Sequence, residues 1–306
     1  MVKLKFLVTG STGLVGRQVV KDLSETHEVF SCYNKSKPEY GNAVKMDLFN
    51  HEMISNVLSE KNPDIVIHLG AMTAVDLCET QQDNALKINS QATEILAKES
   101  SKINAFIVYV STDYVFDGKF NKSYRENDKP NPINVYGQTK LDGEKAIQKK
   151  LPHNSIIIRT SGLYSDFGNN FIEKVLNISI NQKEIKIVSN QIASPTNAMD
   201  LSEAILSIVN SKKFCMQNQK TQIYHYCSVD EVSWYDFAKE VFELLQIKIK
   251  IYPCNYNELL SVANRPNYSV LDTDKIVNDY NVKIFYWRDS LKKLFESEFF
   301  LNKFDI

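Results

Sequence analysis

The sequence has 306 residues, 43% hydrophobic and 24% charged, which excludes a disordered, collagen-like or disulfide-stapled chain. Its 36 basic and 37 acidic residues leave no surplus positive charge for a nucleic-acid backbone. No apolar run is long enough to cross a membrane, and the N-terminal one is too short for a signal peptide. The five scattered cysteines predict reduced thiols and no metal site. We therefore expect a soluble, cytoplasmic protein without nucleic-acid or membrane partners.

Short apolar runs alternate with longer amphipathic stretches along the chain. The runs predict strands at residues 4–8, 29–32, 65–69, 106–110, 156–158 and 223–226. The stretches between them predict helices at residues 14–23, 84–98, 134–149 and 198–209. Buried strands that alternate with crossover helices are typical of a parallel sheet covered on both faces. The sequence therefore predicts an α/β fold of the doubly wound Rossmann type, with ligands at the carboxyl ends of the strands.

The alternation becomes irregular from about Ser165 onward, where asparagine- and serine-rich turns surround a short run at residues 185–188. This change predicts a smaller C-terminal lobe. We expect residues 1–164 to form an NADP-binding Rossmann domain, completed by segments near 193–228. Residues 165–306 are then mainly a substrate-binding lobe, with a cleft between the two parts.

A glycine-rich motif, TGSTGLVG at residues 9–16, follows the first predicted strand and opens the first predicted helix. Its glycines permit a sharp turn and a close approach to a pyrophosphate, which the helix N-terminus stabilises. This context favours a dinucleotide site over an ordinary strand-to-helix turn, and the spacing resembles extended short-chain dehydrogenases/reductases. The predicted cofactor contacts in the motif are Gly10, Thr12, Gly13, Leu14, Val15 and Gly16.

The choice between NAD and NADP is made after the second strand, where an acidic residue would bind the ribose 2′-hydroxyl. Residues 32–37 contain no acid. Asn34, Lys35 and Lys37 could instead bind a 2′-phosphate, which predicts NADP(H), although two lysines after a strand also suit a solvated turn. Further cofactor contacts are predicted at Asp47 and Leu48, which end one further short strand, and at Gly70, Ala71 and Met72, which follow the predicted strand at 65–69.

Tyr136 and Lys140 lie four residues apart in a predicted helix, which places the phenol and the ammonium on one face. A neighbouring cation lowers the pKa of a phenol, so the pair predicts a proton donor for a carbonyl that is being reduced. The segment Ser111-Thr112-Asp113, which follows the predicted strand at residues 106–110, can offer a hydroxyl at the carboxyl edge of the sheet. The pair alone could be an exposed helix pair, but the order of glycine motif, hydroxyl and Tyr/Lys helix favours catalysis.

At this point the sequence is identified as similar to the dTDP-4-dehydrorhamnose reductases and to the regulatory beta subunits of methionine adenosyltransferases. The similarity rests on these strings: TAVD at 73–76, STDYVFDG at 111–118, NVYGQTKLDGEK at 134–145, GNNF at 168–171, SPT at 194–196, VSW at 232–234 and RP at 265–266. It implies that Thr112, Tyr136 and Lys140 are the catalytic hydroxyl, the proton donor and the lysine on the nicotinamide ribose. It further implies a sugar pocket at Thr73, Val75, Asp113 and Tyr114, and a diphosphate contact at Arg265.

The chain departs from the reductase pattern at two positions. Gly162 stands where the reductases usually carry a tryptophan against the sugar, and Met72 stands where many carry a histidine. The missing tryptophan would remove a flat wall of the pocket. Either Tyr164 or Tyr114 is then expected to fill the place, or the site holds its sugar loosely.

The resemblance implies an NADPH-dependent reduction of a nucleotide-linked 4-keto sugar, with dTDP-4-dehydro-L-rhamnose as the nucleotide-sugar substrate of a monomer or homodimer. The first alternative is a regulatory subunit that binds NADP without turning it over. Its synthetase partner would be a methionine adenosyltransferase. An epimerase or 4,6-dehydratase is disfavoured, because similar dehydratases carry a glutamate where this chain has Tyr114. The sequence does not choose between catalysis and regulation.

Overall fold

Seven parallel strands form the central sheet of the computed structural model, which describes residues 3–211, 214, 220–259, 261–297 and 300. The strands of the described residues are β1 Lys5–Thr9, β2 Glu28–Tyr33, β3 Asn42–Lys45, β4 Ile65–His68, β5 Phe106–Thr112, β6 Ser155–Thr160, β7 Leu163–Tyr164, β8 Glu184–Val188, β9 Ile192–Ala193, β10 Thr196–Asn197, β11 Gln222–His225, β12 Val232–Ser233 and β13 Lys250–Cys254. The central sheet has the order β11-β6-β5-β4-β1-β2-β3, and every neighbouring pair in it is parallel. The predicted doubly wound α/β fold is confirmed.

Helices cover both faces of this sheet. They are α1 Gly16–Ser24, α2 His51–Lys61, α3 Val75–Thr80, α4 Gln82–Ala85, α5 Ala92–Lys102, α6 Val135–Lys150, α7 Phe171–Asn181, α8 Ala198–Val209, α9 Trp234–Leu244, α10 Asp274–Tyr280 and α11 Trp287–Phe295. Alternate residues of each strand face opposite layers. Phe6 and Val8 therefore pack with α1, α8 and α10, whereas Leu7 packs with α2, α5 and α6.

The helix predicted at residues 84–98 is interrupted, because Leu86–Gln91 forms a π-helical turn between α4 and α5. This wider turn carries Asn89, which is buried. The Asn89 side chain accepts a hydrogen bond from Met72 N (2.8 Å) and donates one to Met72 O (3.1 Å). The π turn thus secures the loop that follows β4, and π turns of this kind are frequent beside functional sites.

A second group of elements, α7, β8, α9 and α11, packs around an apolar core of its own. We call this group, with the residues around it, the second lobe. Three short two-stranded ladders, β7 with β10, β9 with β12 and β8 with β13, join its segments. The chain also returns to the main sheet, where β11 is the edge strand and α8 and α10 cover one face. The lobe is therefore connected to the sheet at several points of the chain.

The cysteines and the helices carry no sign of a metal or membrane role in the described part of the chain. Cys32, Cys78, Cys227 and Cys254 are buried free thiols, and Cys215 lies outside the described residues. Over the described ranges, no cluster of metal-ligating side chains is present. No helix there is long and apolar enough to cross a bilayer.

A buried ion pair connects α6 to the strands beneath it. Glu144 on α6 meets Arg159 on β6 through two hydrogen bonds of 2.7 and 2.9 Å, and both side chains are 2% exposed. The Glu144 carboxylate also accepts a hydrogen bond of 2.6 Å from Ser111 on β5. Because every partner is paired, the two charges can remain buried.

Removing one member of this pair should destabilise the protein strongly. Arg159→Met leaves the Glu144 carboxylate buried without its counter-ion, and Glu144→Leu leaves the Arg159 guanidinium buried without its own. Each change should lower the free energy of unfolding by about 3–5 kcal/mol. Urea denaturation of both single variants and of the double variant tests this. The double variant should lose less stability than the sum of the two, and strictly additive losses would show that the charges do not depend on each other.

Candidate active site

A cleft of about 640 Å³ opens at the carboxyl ends of the central strands, between the sheet and the second lobe. Most of the residues predicted to bind cofactor or substrate line it. They are Gly10, Thr12, Gly13, Leu14, Val15, Gly16, Gly70, Ala71, Thr73, Val75, Thr112, Asp113, Tyr114, Tyr136 and Lys140. The topology explains this grouping, because parallel strands deliver their carboxyl ends to a single edge.

The glycine motif forms a tight turn between β1 and α1. Gly13 N donates to Gly10 O at 2.9 Å, and a Cβ at Gly16 would lie only 2.1 Å from the same oxygen. Ser11 Oγ secures the loop by donating to Cys32 O on β2 at 2.8 Å. The turn therefore brings bare backbone and the N-terminus of α1 to the cleft wall, as the pyrophosphate of a dinucleotide requires. The residues present fit such a cofactor.

A small side cavity of about 180 Å³ adjoins the glycine turn, and Thr12 lines both spaces. Lys37 and Arg17 line this side cavity, whereas Asn34 and Lys35 do not. The Arg17 guanidinium donates to the Glu39 carboxylate at 2.6 Å and lies 5.1 Å from the centre of the Phe167 ring. Sequence reasoning missed Arg17, although its position directly after the third glycine was a signal.

Three other predicted cofactor residues lie outside the cleft wall. Leu48 packs beneath the floor, since its Cδ1 would be 2.9 Å from a Cβ at Gly70. Asp47 accepts a hydrogen bond from the Phe49 backbone at 3.0 Å. Met72 is held through its backbone by the buried amide of Asn89.

Thr112 and Tyr136 both line the cleft, and their side chains interact. Thr112 is the last residue of β5, and Tyr136 belongs to the first turn of α6. That turn is set by Asn134, whose Oδ1 accepts a hydrogen bond from Gly137 N at 2.7 Å. The Tyr114 ring lies edge-on to the Tyr136 ring, with centroids 5.9 Å apart. The phenol is thus positioned by a capped helix on one side and an aromatic ring on the other.

Burial dominates the electrostatics of the predicted proton donor. It raises the pKa of Tyr136, and the Thr112 hydroxyl opposes this shift by stabilising the phenolate. Burial also lowers the pKa of Lys140 to about 7, against the attraction of Glu144. Burial thus outweighs the lowering of the Tyr136 pKa that a neighbouring Lys140 cation would give, because desolvation affects both groups. At neutral pH the Tyr136 hydroxyl is protonated.

Lys140 lines the cleft, and two contacts hold its ammonium in place. Its ammonium donates to Val110 O at 2.8 Å and lies 4.1 Å from the centre of the Tyr109 ring. Both contacts favour the charged form. They leave the ammonium two further donors, since it carries three.

Asp113 joins the sheet edge to the second lobe. Its carboxylate accepts hydrogen bonds from Thr112 at 3.0 Å and from Ser161 at 2.8 Å, and it also interacts with Ser269. Burial raises its pKa, and these hydroxyls oppose the shift. The network ties the end of β5 to the loop after β6 and to the C-terminal segment.

Arg265 does not line the cleft as predicted for a diphosphate contact. It forms an ion pair of 2.7 Å with Asp76 on α3, and this bond holds the pKa of Asp76 well below its usual range. The Asp76 carboxylate also accepts hydrogen bonds from the backbone of Val262 and Ala263, at 3.2 and 3.0 Å. Together these bonds clamp the loop that precedes Arg265 onto α3, next to Val75 in the cleft wall.

Gly162 has a left-handed backbone conformation with φ +54°, and neighbouring atoms occupy the space where a side chain would begin. A Cβ at this position would lie 3.2 Å from both Pro195 Cα and Trp234 Cη2. Tyr164 does not fill the place, because it is completely buried and bonds the Trp287 carbonyl at 3.3 Å. Tyr114 packs against Tyr136 instead. The aromatic ring beside Gly162 is Trp234, which the sequence analysis named only as part of the VSW string and did not assign to the pocket.

Comparisons with known proteins identify the family. The family model described as RmlD substrate binding domain matches residues 4–299. The spore coat polysaccharide biosynthesis protein SpsK of Bacillus subtilis is 33% identical over 94% of this chain and 96% of its own. A crystal structure of a dTDP-4-dehydrorhamnose reductase from Clostridium acetobutylicum is 34% identical, with a TM-score of 0.85 over 96% of this chain and 99% of that one. The chain belongs to the dTDP-4-dehydrorhamnose reductase family.

The family resemblance that the sequence indicated is therefore confirmed. A second member of the family, the reductase of Bacillus anthracis, was solved in complex with NADP. It is 31% identical and superposes with a TM-score of 0.85 over 96% of this chain and 99% of its own. The cleft described above thus belongs to a fold shared over nearly its whole length with these reductases.

Proposed function

We propose that this protein uses NADPH to reduce the 4-keto group of a nucleotide-linked sugar, converting dTDP-4-dehydro-L-rhamnose to dTDP-L-rhamnose. The observation that carries the proposal is the grouping of Thr112, Tyr136 and Lys140 in one cleft with a dinucleotide-type glycine turn. The names of the relatives and the NADP bound by one of them support the same chemistry. The main sheet then serves the cofactor, and the second lobe serves the sugar nucleotide.

The cofactor would lie along the sheet edge. The turn at Gly10, Gly13 and Gly16 would hold the pyrophosphate, and Lys140 would hold the nicotinamide ribose. Arg17 and Lys37 would bind the 2′-phosphate in the side cavity, where they replace the predicted Asn34 and Lys35. NADPH, when bound, supplies the hydride that the ketone carbon accepts.

The residues of the chain handle the proton and the position of the ketone. Tyr136 donates its hydroxyl proton to the carbonyl oxygen, so the ketone gains one hydride and one proton and becomes an alcohol. Burial keeps that proton on Tyr136 until negative charge develops on the substrate oxygen. The Thr112 hydroxyl, which donates to Asp113 in the free protein, would turn to donate its single proton to the tyrosinate, and the Lys140 ammonium would favour the same negative charge.

NADPH oxidation, followed by absorbance with enzymatically generated dTDP-4-dehydro-L-rhamnose, tests the function directly. The wild-type protein should oxidise NADPH, and Tyr136→Phe should lower turnover by about 10² to 10⁴, as for the loss of a positioned general acid. NADPH binding should stay nearly unchanged, since the ring remains. A wild-type protein that binds NADPH and reduces no 4-keto nucleotide sugar would instead support the regulatory role.

The pKa of Lys140 predicts a proton uptake on cofactor binding. The lysine is largely uncharged above its pKa of about 7, whereas ribose hydroxyls that accept its hydrogen bonds would favour the ammonium. NADPH should therefore draw a proton from solvent, and its affinity should fall as the pH rises above neutrality. Calorimetric titrations at about pH 8, in two buffers of different ionisation enthalpy, measure this uptake. It should vanish in Lys140→Met, and its absence from the wild-type protein would contradict the ribose contact.

The side cavity predicts which basic residues select NADPH. Arg17→Ala and Lys37→Ala should each weaken NADPH binding more than NADH binding, because a phosphate gains charge-assisted bonds that a hydroxyl cannot match. Lys35→Ala is the matched control, since Lys35 is exposed outside the cavity. Dissociation constants for both cofactors at low and high salt give the comparison. Equal effects of all three variants would mean that only the general charge of the loop matters.

A further inference from the structure

The geometry points to Trp234 and Gln191 as the residues that bind the sugar ring, on the side of the cleft where Gly162 has no side chain. The inference deepens the proposed reductase function and rests on it. The ligand is a hexose ring, which offers an apolar C–H face and a polar edge of hydroxyl groups. An indole ring and a buried amide placed side by side match these two features.

Trp234 is held rigidly at the cleft wall. It is the first residue of α9, whose start is capped by Ser233 Oγ accepting a hydrogen bond from Asp236 N at 3.0 Å. The indole packs against the Phe171 ring at 4.6 Å and lies edge-on to the Phe237 ring at 6.0 Å. Because these contacts come from inside the second lobe, the half-buried indole needs little further ordering on binding sugar.

Gly162 lets the indole reach the cleft. The benzene edge of Trp234, at Cη2 and Cζ2, would lie 3.2 and 3.6 Å from a Cβ at position 162. A larger side chain there would meet the indole and would also be strained by the left-handed backbone. The wall that the sequence analysis found missing at residue 162 is therefore supplied by α9, from the second lobe.

Gln191 and Trp234 flank the same end of the β9–β12 ladder. The last register pair of this antiparallel ladder is Ser233 with Ile192, and Trp234 directly follows the one residue while Gln191 directly precedes the other. Gln191 lines the cleft and is 5% exposed, yet its Nε2 has no hydrogen-bond partner among the described residues. A buried donor without a partner is costly and calls for one.

A second buried polar group lies at the end of β6, next to the predicted catalytic residue Thr112. Thr160 ends β6 and is the register partner of Thr112 on β5. Its Oγ1 is likewise buried at the cleft and has no partner in the described part of the chain. A sugar with its ketone at Thr112 and Tyr136 could thus offer hydroxyls to Thr160 and Gln191 while its apolar face covers Trp234.

Steady-state kinetics separate binding of the sugar from the chemistry. Trp234→Ala should raise KM for dTDP-4-dehydro-L-rhamnose by about 10- to 100-fold, as for an aromatic anchor, while kcat changes much less. Trp234→Phe should recover part of the loss. The dissociation constant for NADPH should not change in either variant. An unchanged KM in a folded Trp234→Ala protein would overturn the proposal.

Gln191→Leu tests the amide independently of the indole. Since Nε2 has no protein partner, replacing it with an apolar group of similar size should leave the melting temperature equal or higher. KM for the sugar nucleotide should nevertheless rise by about tenfold, the value of one good hydrogen bond. A fall in melting temperature with no change in KM would assign Gln191 a structural role and overturn this part of the proposal.

Fluorescence gives a readout that does not depend on turnover. The chain has two tryptophans, so Trp287→Phe leaves Trp234 as the sole indole emitter. Trp287 is buried in the second-lobe core and does not line the cleft, so this variant should keep the wild-type KM. Its emission should change on titration with dTDP-glucose and stay nearly constant with dTDP alone. Equal responses to both ligands would exclude a specific sugar contact.

The outcomes distinguish this inference from the proposed function. If the wild-type protein reduces the keto sugar but Trp234→Ala and Gln191→Leu keep its KM, the inference fails and the function stands. If the wild-type protein oxidises no NADPH with the keto sugar, the proposed function fails. In that case a dTDP-glucose response of Trp234 in the Trp287→Phe protein would still show that the sugar site exists.

Discussion

The buried pair of Glu144 and Arg159 is the constraint on which the geometry of the cleft depends. Glu144 follows Tyr136 and Lys140 at intervals of four residues, so all three side chains lie along one face of α6. Its carboxylate is bonded to Ser111 on β5 and to Arg159 on β6, and its charge favours the ammonium form of Lys140. Rotation of α6 or sliding of the helix along the sheet would break these buried bonds. The buried bonds of Glu144 therefore fix the position of the Tyr136 phenol, two helical turns earlier on α6, over the strand ends.

A second set of contacts joins the lobe that carries Trp234 to this edge. Asp113 bonds the loop after β6 and interacts with Ser269, while Asp76 and Arg265 clamp the C-terminal loop onto α3. These partners come from distant parts of the sequence, yet they meet around one cleft. The cleft therefore lies between two separate clusters of buried apolar residues. Polar bonds set the distance between them.

Local patterns predicted the fold because the determining interactions are local. The helix predicted at residues 198–209 is observed as Ala198–Val209, since its apolar period repeats without interruption. Strands β1, β2, β5 and β6 extend a residue or two beyond the carboxyl ends of their apolar runs, because ladder bonds continue where the side chains are already polar, as at Ser111 and Thr112, whereas β4 and β11 each end one residue earlier than predicted. Tyr136 and Lys140 are likewise four residues apart on one helix, which by itself places them on the same face. Both line the cleft as predicted.

Contacts that depend on tertiary structure were not predictable in this way. The pairing of Arg265 with Asp76 joins residues 189 positions apart, and no local pattern distinguishes it from a free arginine. The place of Trp234 beside Gly162 depends on how α9 packs, which the sequence around residue 162 does not encode. The raised pKa of Tyr136 follows from burial that becomes known only when both lobes are in place. The sequence shows which side chains are present, but the tertiary surroundings of each side chain become known only from the structure.

The packing of Trp234 against Gly162 has a consequence for changing the substrate range by mutagenesis. The two positions share one volume, so they act as a single coupled unit even though 72 residues separate them in the sequence. Substitutions at either position will show strong epistasis, since contacting residues do not contribute additively. A library that varies residue 162 alone would sample mainly misfolded clefts. Productive variants would arise from joint exchange of both positions, with the indole moving from one lobe to the other.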